Sequence, residues 1–132
     1  MITHHELCFG CGQANLFGLQ LELERADDGS VSGRFFVKQD HQGPPGYAHG
    51  GVIATALDEA MALLVHAAGI HALTRRLSVD LLGPVPVGSF ATVTAWVESR
   101  EEGRLDLRAE LAGDDPGARP LARASGTFAV VR

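Results

Sequence analysis

One stretch of helical periodicity sits inside a chain whose apolar residues otherwise alternate. Over about 49–68, Ile53, Leu57, Met61 and Leu64 recur at i, i+4, i+8 and i+11, which places them on one helix face. Gly69 follows where a helix stop is expected. Before this stretch, Leu19, Leu21 and Leu23 alternate with Gln20, Glu22 and Glu24, the pattern of a half-buried strand. Asp27-Asp28-Gly29-Ser30 then reads as a turn, and 31–38 as the strand that returns. The segment His41-Gln42-Gly43-Pro44-Pro45-Gly46-Tyr47 is too rich in Gly and Pro for a regular element. After the helix, alternation resumes over 74–82, 90–99, 104–111 and 120–131, with Gly- and Pro-bearing turns between. Short connections among these later strands imply antiparallel pairing. The expectation is an α+β domain over 1–132, with a helix of about 20 residues packed on a six-stranded antiparallel sheet.

Composition excludes several function classes. The chain has 132 residues, enough for one domain, and its 45% hydrophobic and 20% charged residues suit a folded core. A net charge of −5 disfavours nucleic acid, which asks for a basic patch, and 6% aromatics offer little base-stacking surface. The most apolar stretch, 52–68, carries Asp58, Glu59 and His66 and falls short of a membrane span. Met1-Ile2-Thr3-His4-His5-Glu6 has no basic region followed by an apolar one, so no signal peptide is read. A cytoplasmic protein with reduced Cys8 and Cys11 is expected. Lys38 is the only lysine, so nearly every cation is a guanidinium suited to bidentate phosphate or carboxylate contacts. Val93, Ala95 and Val97 alternate with Phe90, Thr92 and Trp96, so both faces of that strand carry apolar or small residues. A second copy of the chain is expected over part of that face or over a sheet edge.

The helix start and the helix middle carry the chemistry. His49-Gly50-Gly51 opens the helix, although each glycine costs about 0.5–1 kcal/mol relative to alanine there. Two readings stand: bare N–H groups at the positive end of the helix form an oxyanion site, or the start packs closely on the sheet. Further along, Gly51, Thr55, Asp58, Ala62 and His66 form a small or polar strip opposite the apolar face. A carboxylate on a buried helix is costly unless used or paired, and dehydration raises its pKa toward the range of a general base. The alternative is a hydrogen-bonded structural Asp58, or an exposed one beside Glu59. Gly50 and Asp58 are eight residues apart, about 12 Å along the axis, so one carbonyl cannot touch both in one chain. If both act on one substrate, they come from two chains, and the site lies at a dimer interface.

The run Pro44-Pro45-Gly46-Tyr47-Ala48-His49-Gly50-Gly51-Val52-Ile53-Ala54-Thr55-Ala56-Leu57-Asp58-Glu59-Ala60 resembles the signature of hotdog-fold acyl-CoA thioesterases of the phenylacetate-pathway type. Cys8-Phe9-Gly10-Cys11-Gly12, Asn15, Gly18-Leu19, Thr74, Gly83-Pro84, Pro86-Val87-Gly88 and Gly126-Thr127-Phe128 fit the same family. The resemblance implies a long central helix wrapped by a six-stranded sheet, in homodimers that pair again into tetramers. It implies an acyl-CoA substrate, no cofactor and no metal. By position, Gly50, with Gly51, would supply the oxyanion N–H, and Asp58 of the partner chain the base or nucleophile. His49 would hold the helix start, and Thr74 would orient the water or the carboxylate. One departure is plain. Many relatives place Asn or Gln six residues before the His, where this chain has Gly43 with Gln42 beside it.

Other residues have simpler readings. His4-His5 before Cys8-x2-Cys11 has the residue types of a zinc site, but all four ligands would have to come from one short segment. A structural or weakly redox-active cysteine pair is expected instead. Glu59 is the rival carboxylate to Asp58, while His66 and His71 are expected to lie beyond the site. Arg75 and Arg76 are the nearest cations to Thr74 for the phosphates of coenzyme A, with Arg104 or Arg123 as further contributors. The competing function is a non-catalytic acyl-CoA- or lipid-binding hotdog domain.

Overall fold

The structure is a computed structural model that describes residues 1–131; the last residue of the expected domain, Arg132, lies outside them. Its strands are β1 (Glu22–Arg25), β2 (Val31–Phe36), β3 (Ala72–Leu81), β4 (Phe90–Glu101), β5 (Arg104–Gly113) and β6 (Pro120–Val130). The helix α1 (Gly50–Ala67) follows a 3-10 turn at Gln39–His41. The strands form one antiparallel sheet in the order β1-β2-β4-β5-β6-β3. The chain leaves β2 near one edge, crosses the whole sheet as α1, and enters β3 at the other edge. This is the hotdog arrangement, with the helix held in the curve of the sheet.

Side-chain size lets the helix sit close. On β4, β5 and β6 the buried positions include Ala91, Ala95, Ala109, Ala122 and Ala124, interleaved with Val93, Leu107, Leu111 and Phe128. Against them α1 buries Ile53, Ala56, Leu57, Ala60, Met61, Leu63, Leu64 and Val65. Gly126 lies directly under the helix, where a Cβ would stand 3.0 Å from Met61 Cε. By length and apolar content α1 does reach the range of a membrane span, with 18 residues and a mean hydropathy of 1.3. Its buried face is the core of the sheet, so its hydrophobicity is used inside the fold.

The N-terminal region departs from the strand expectation. Leu19 and Leu21 are buried, so burial alternates as expected, but the ladder begins only at Glu22. Gln20 takes a left-handed φ of 52°, which breaks the extended backbone. The Leu19 and Leu21 N–H groups instead donate to Phe9 O and Gly10 O at 2.9 and 3.0 Å. The two edges of the sheet also differ in kind. β1 has four residues, whereas β3 has ten and leaves Leu73 63% and Leu81 55% exposed. A long edge strand with exposed leucines is unpaired hydrogen-bonding backbone beside apolar surface.

Candidate active site

Asp58 is partly buried on α1 and accepts a hydrogen bond from Thr74 Oγ1 on β3, with a donor–acceptor distance of 2.7 Å. A β-bulge makes this contact. Thr74 pairs with Phe128 and Arg76 with Thr127, so Arg75 is the extra residue and the strand changes face between its neighbours. Without it, Thr74 would share the outer face with Arg76, Ser78 and Asp80. Burial raises the Asp58 pKa above the ordinary aspartate range, and the neighbouring Glu59 charge adds to it. The Thr74 hydrogen bond and His4 pull it part of the way back. The pair sits at the protomer surface, against the unpaired β3 edge.

The two glycines of the helix start differ in their N–H groups and both are closely packed, since a Cβ at Gly50 would stand 3.0 Å from Leu81 Cδ1. His49 is the N-cap, with extended φ/ψ of −63° and 139°, and its Nδ1 accepts from Gly51 N–H at 2.8 Å. The Gly51 N–H is therefore not open, contrary to the expectation that it lies bare beside that of Gly50. Gly51 is glycine for packing, because a Cβ there would stand 3.1 Å from His49 Nδ1. The Val52 and Ile53 N–H groups reach His49 O at 2.9 and 3.2 Å. Among the described residues only Gly50, of the first turn, has an N–H without an acceptor. That single donor lies at the positive end of the helix dipole, with no acidic side chain in the first turn to offset it.

The loop before the helix explains the departure at Gly43. Gln42 is exposed, and its Oε1 accepts from Gly46 N–H at 2.7 Å, closing the loop on itself. A Cβ at Gly43 would stand 2.8 Å from His49 Cα, so this loop has no room for an amide side chain at that position. Arg75 and Arg76 are exposed and, with Arg104 and Thr127, line an open cleft of about 410 Å³; Arg76 and Thr127 pair on the outer face of the sheet, away from the face on which Thr74 meets Asp58. The structure does not bring Arg123 to that cleft; it pairs with Glu110 at 3.4 Å.

Several contributions escape a linear reading. His41 is 1% exposed; its Nδ1 accepts from Lys38 N–H at 3.1 Å, so Nε2 carries the proton and donates to Gly18 O at 3.1 Å. Burial lowers its pKa and favours the neutral ring, and His41 O accepts from His49 N–H at 2.8 Å. This one histidine ties the N-terminal segment to the helix start; a lone His in a Gly/Pro loop gives little sign of it. Glu59, the rival carboxylate, turns away from Thr74 toward His4 at 3.0 Å and Cys8 at 3.4 Å. His66 packs edge-on against His4, with ring centroids 5.0 Å apart.

Comparisons with known proteins agree with this architecture. The family model for the thioesterase superfamily matches residues 45–117. Mouse acyl-coenzyme A thioesterase THEM5 (Mus musculus) is 32% identical over 87 residues, which are 66% of this chain and 35% of that protein. This chain thus spans about a third of the length of that curated relative. Among solved structures, a thioesterase superfamily protein matches at a TM-score of 0.86 and 27% identity, over 94% of this chain and 60% of that one. A phenylacetic acid degradation-related protein of Ralstonia eutropha matches at a TM-score of 0.75 and 25% identity, over 86% of each chain. A Bacillus halodurans protein crystallised with CoA matches at 0.75 and 26% identity, over 86% of this chain and 76% of that one. The family match covers more than half of the residues and contains both the His49-Gly50-Gly51 start and Asp58. The chain belongs to the thioesterase superfamily.

Proposed function

We propose that the protein hydrolyses an acyl-CoA thioester to the free acid and CoA, at a site shared by two chains. The observation that carries this reading is the partly buried Asp58–Thr74 pair at the long, unpaired β3 edge. Gly50 lies about 12 Å along the helix from Asp58, so its open N–H serves the site of a partner chain. β3 is the edge along which a second copy adds, covering Leu73, Leu77 and Leu81 and giving a homodimer that can pair again into a tetramer.

In this site the Gly50 N–H of one chain polarises the thioester carbonyl and holds the oxyanion that forms on it. The Asp58 carboxylate of the other chain takes a proton from water, the hydroxide adds to the carbonyl carbon, and the C–S bond breaks. The departing thiolate receives the proton from Asp58, so no cofactor is consumed. A second route uses the same groups. Asp58 attacks the carbonyl itself, the thiolate leaves, and water opens the resulting mixed anhydride. Thr74 fixes the carboxylate in either route, and His49 fixes the helix start. Arg75 and Arg76, with Arg104, face the CoA phosphates, and Gln42 shapes the loop over the acyl entrance. A cytoplasmic setting, where acyl-CoA and free thiols coexist, belongs to the same reading.

A thiol-release assay across aromatic and aliphatic acyl-CoAs tests it. Turnover of at least one substrate is expected, with loss of about 10²–10⁴-fold in Asp58→Asn. Gly43, in place of an amide side chain, favours one second reading, a non-catalytic acyl-CoA- or lipid-binding domain. Binding by calorimetry with no thiol released over hours would decide for it.

A further inference from the structure

The N-terminal segment carries a cluster that hydrolysis does not use. Residues 1–21 contain no helix or strand, yet Gly10, Cys11 and Gly12 are buried. The cluster comprises His4, Cys8 and Cys11 from this segment and Glu59 from α1, whose potential ligand atoms all lie within 4.8 Å of one another. The sequence offered at most His and Cys from one short stretch. The fold supplies the missing donor from the helix.

Three of the donor–donor distances fall in the range of a tetrahedral coordination shell, and the His4–Glu59 distance is a few tenths of an ångström shorter. His4 Nδ1 lies 3.0 Å from Glu59 Oε2, and Cys8 Sγ lies 3.4 Å from the same oxygen. Both Cys8 Sγ and Cys11 Sγ lie 3.7 Å from His4 Nδ1. Tetrahedral zinc at ordinary bond lengths sets donor–donor edges of about 3.3–3.8 Å. The surroundings are built for it. Gly12 N–H closes a tight turn on Cys8 O at 2.8 Å, which brings the two cysteines to one side of the turn. His4 N–H donates to Cys11 Sγ at 3.2 Å, a bond that favours a thiolate. A Cβ at Gly10 would collide with the Glu59 side chain, so only glycine lets the turn close over that carboxylate. Glu59 is 12% exposed and His4 28%. As a hydrogen-bonded cluster alone, these groups set one imidazole and two weakly donating thiols around a largely buried carboxylate.

We propose that His4, Cys8, Cys11 and Glu59 bind one zinc-class divalent ion that fastens the N-terminal segment to α1. Two thiolates, an imidazole and a carboxylate form a closed four-ligand set with no position left for substrate, so the role is structural. Binding displaces the two thiol protons, and the ion's two charges replace theirs. The formal charge beside Asp58 is therefore unchanged, and the ion acts through stability rather than through the reaction. Residues 1–21 have no ladder of their own, and the ion supplies a cross-link between them and the core.

The test uses the full chain, produced in zinc-supplemented medium and purified under reductant without chelator. Elemental analysis after gel filtration is expected to give about one zinc per chain. Cys8→Ser/Cys11→Ser is expected to lose it. Because that variant can misfold, chelator-stripped wild-type protein is also titrated with Co(II). A thiolate-to-cobalt charge-transfer band that saturates at one equivalent and is displaced by zinc supports the site. Glu59→Gln is expected to weaken Co(II) binding by at least about tenfold; unchanged affinity removes the helix from the site. Less than a tenth of an equivalent of metal with no cobalt band overturns the proposal, whether the cysteines are then found as thiols or as a disulfide.

Discussion

Asp58 and Glu59 are adjacent carboxylates on one helix, and the fold gives them opposite surroundings. Asp58 faces the sheet edge at β3, holds one hydrogen bond from Thr74, and is pushed toward its neutral form by burial. Glu59, one residue and about 100° further round the helix, faces a coil and is met by an imidazole at 3.0 Å and a thiol at 3.4 Å. One carboxylate is left under-compensated next to open surface; the other is enclosed by partners. Burial alone therefore does not mark a reacting group. In the proposed function, what singles out Asp58 is partial burial with an incomplete set of partners beside the exposed β3 edge.

The largest effect that separates the two is on turnover. Asp58→Asn is expected to lower kcat/KM for thioester hydrolysis by about 10²–10⁴-fold, while Glu59→Gln keeps it within about tenfold of wild type. Equal losses from both, followed by thiol release, would erase the distinction.

A smaller effect lies in the pH profile. A base must be deprotonated, so kcat/KM is expected to rise with pH through an apparent pKa above the ordinary aspartate value of about 3.9. Thr74→Ala removes a hydrogen bond that favours the carboxylate, so the acid limb moves to higher pH, and Thr74→Ser restores it. A limb at the ordinary aspartate position in wild type, or one that Thr74→Ala leaves in place, would contradict the positioning role.

The smallest effect is on stability, and the two carboxylates differ in its sign. A carboxyl whose folded-state pKa is raised favours the fold most at low pH, and that contribution is lost as pH rises through the raised pKa. Above the raised pKa, ionised Asp58 therefore works against folding. Asp58→Asn, which still accepts from Thr74, is expected to raise Tm at pH 7, with the gain vanishing at pH values below the unfolded aspartate pKa. Glu59→Gln is expected to lower Tm, because it removes the charged partner of His4 and the cysteines. Calorimetric scans at both pH values read the sign directly.

The helix was legible because its apolar residues keep one period from Ile53 to Leu64 and Gly69 follows it. The strands of the second half were legible from alternation and turns, within a residue or two at each end. The placement of β3 was not, since nothing local to Ala72–Leu81 says that its partner is β6 rather than β4. At Leu19 and Leu21 alternation was a true sign of burial and a false sign of a ladder, because the left-handed turn at Gln20 leaves no hydrophobic trace. Asp58 stood out as a carboxylate on a helix that covers a sheet. Separating Gly50 from Gly51 needed the His49 ring, and joining Glu59 to Cys8 and Cys11 needed the tertiary fold. Local periodicity reports what is buried; it does not report what lies across the gap.

Subunit mixing tests the shared site most directly. Gly50→Pro removes the one open N–H while keeping a residue suited to the first helical position, and the extended backbone of His49 accepts a following proline. Asp58→Asn removes the proposed base. Each variant alone is expected to be near-inactive. Co-refolded in equal amounts, they place an intact Gly50 opposite an intact Asp58 in one site of each mixed dimer, restoring about 25% of wild-type turnover for random pairing. A mixture no more active than its parents would mean that Asp58 and Gly50 do not act across the interface, and would contradict the account.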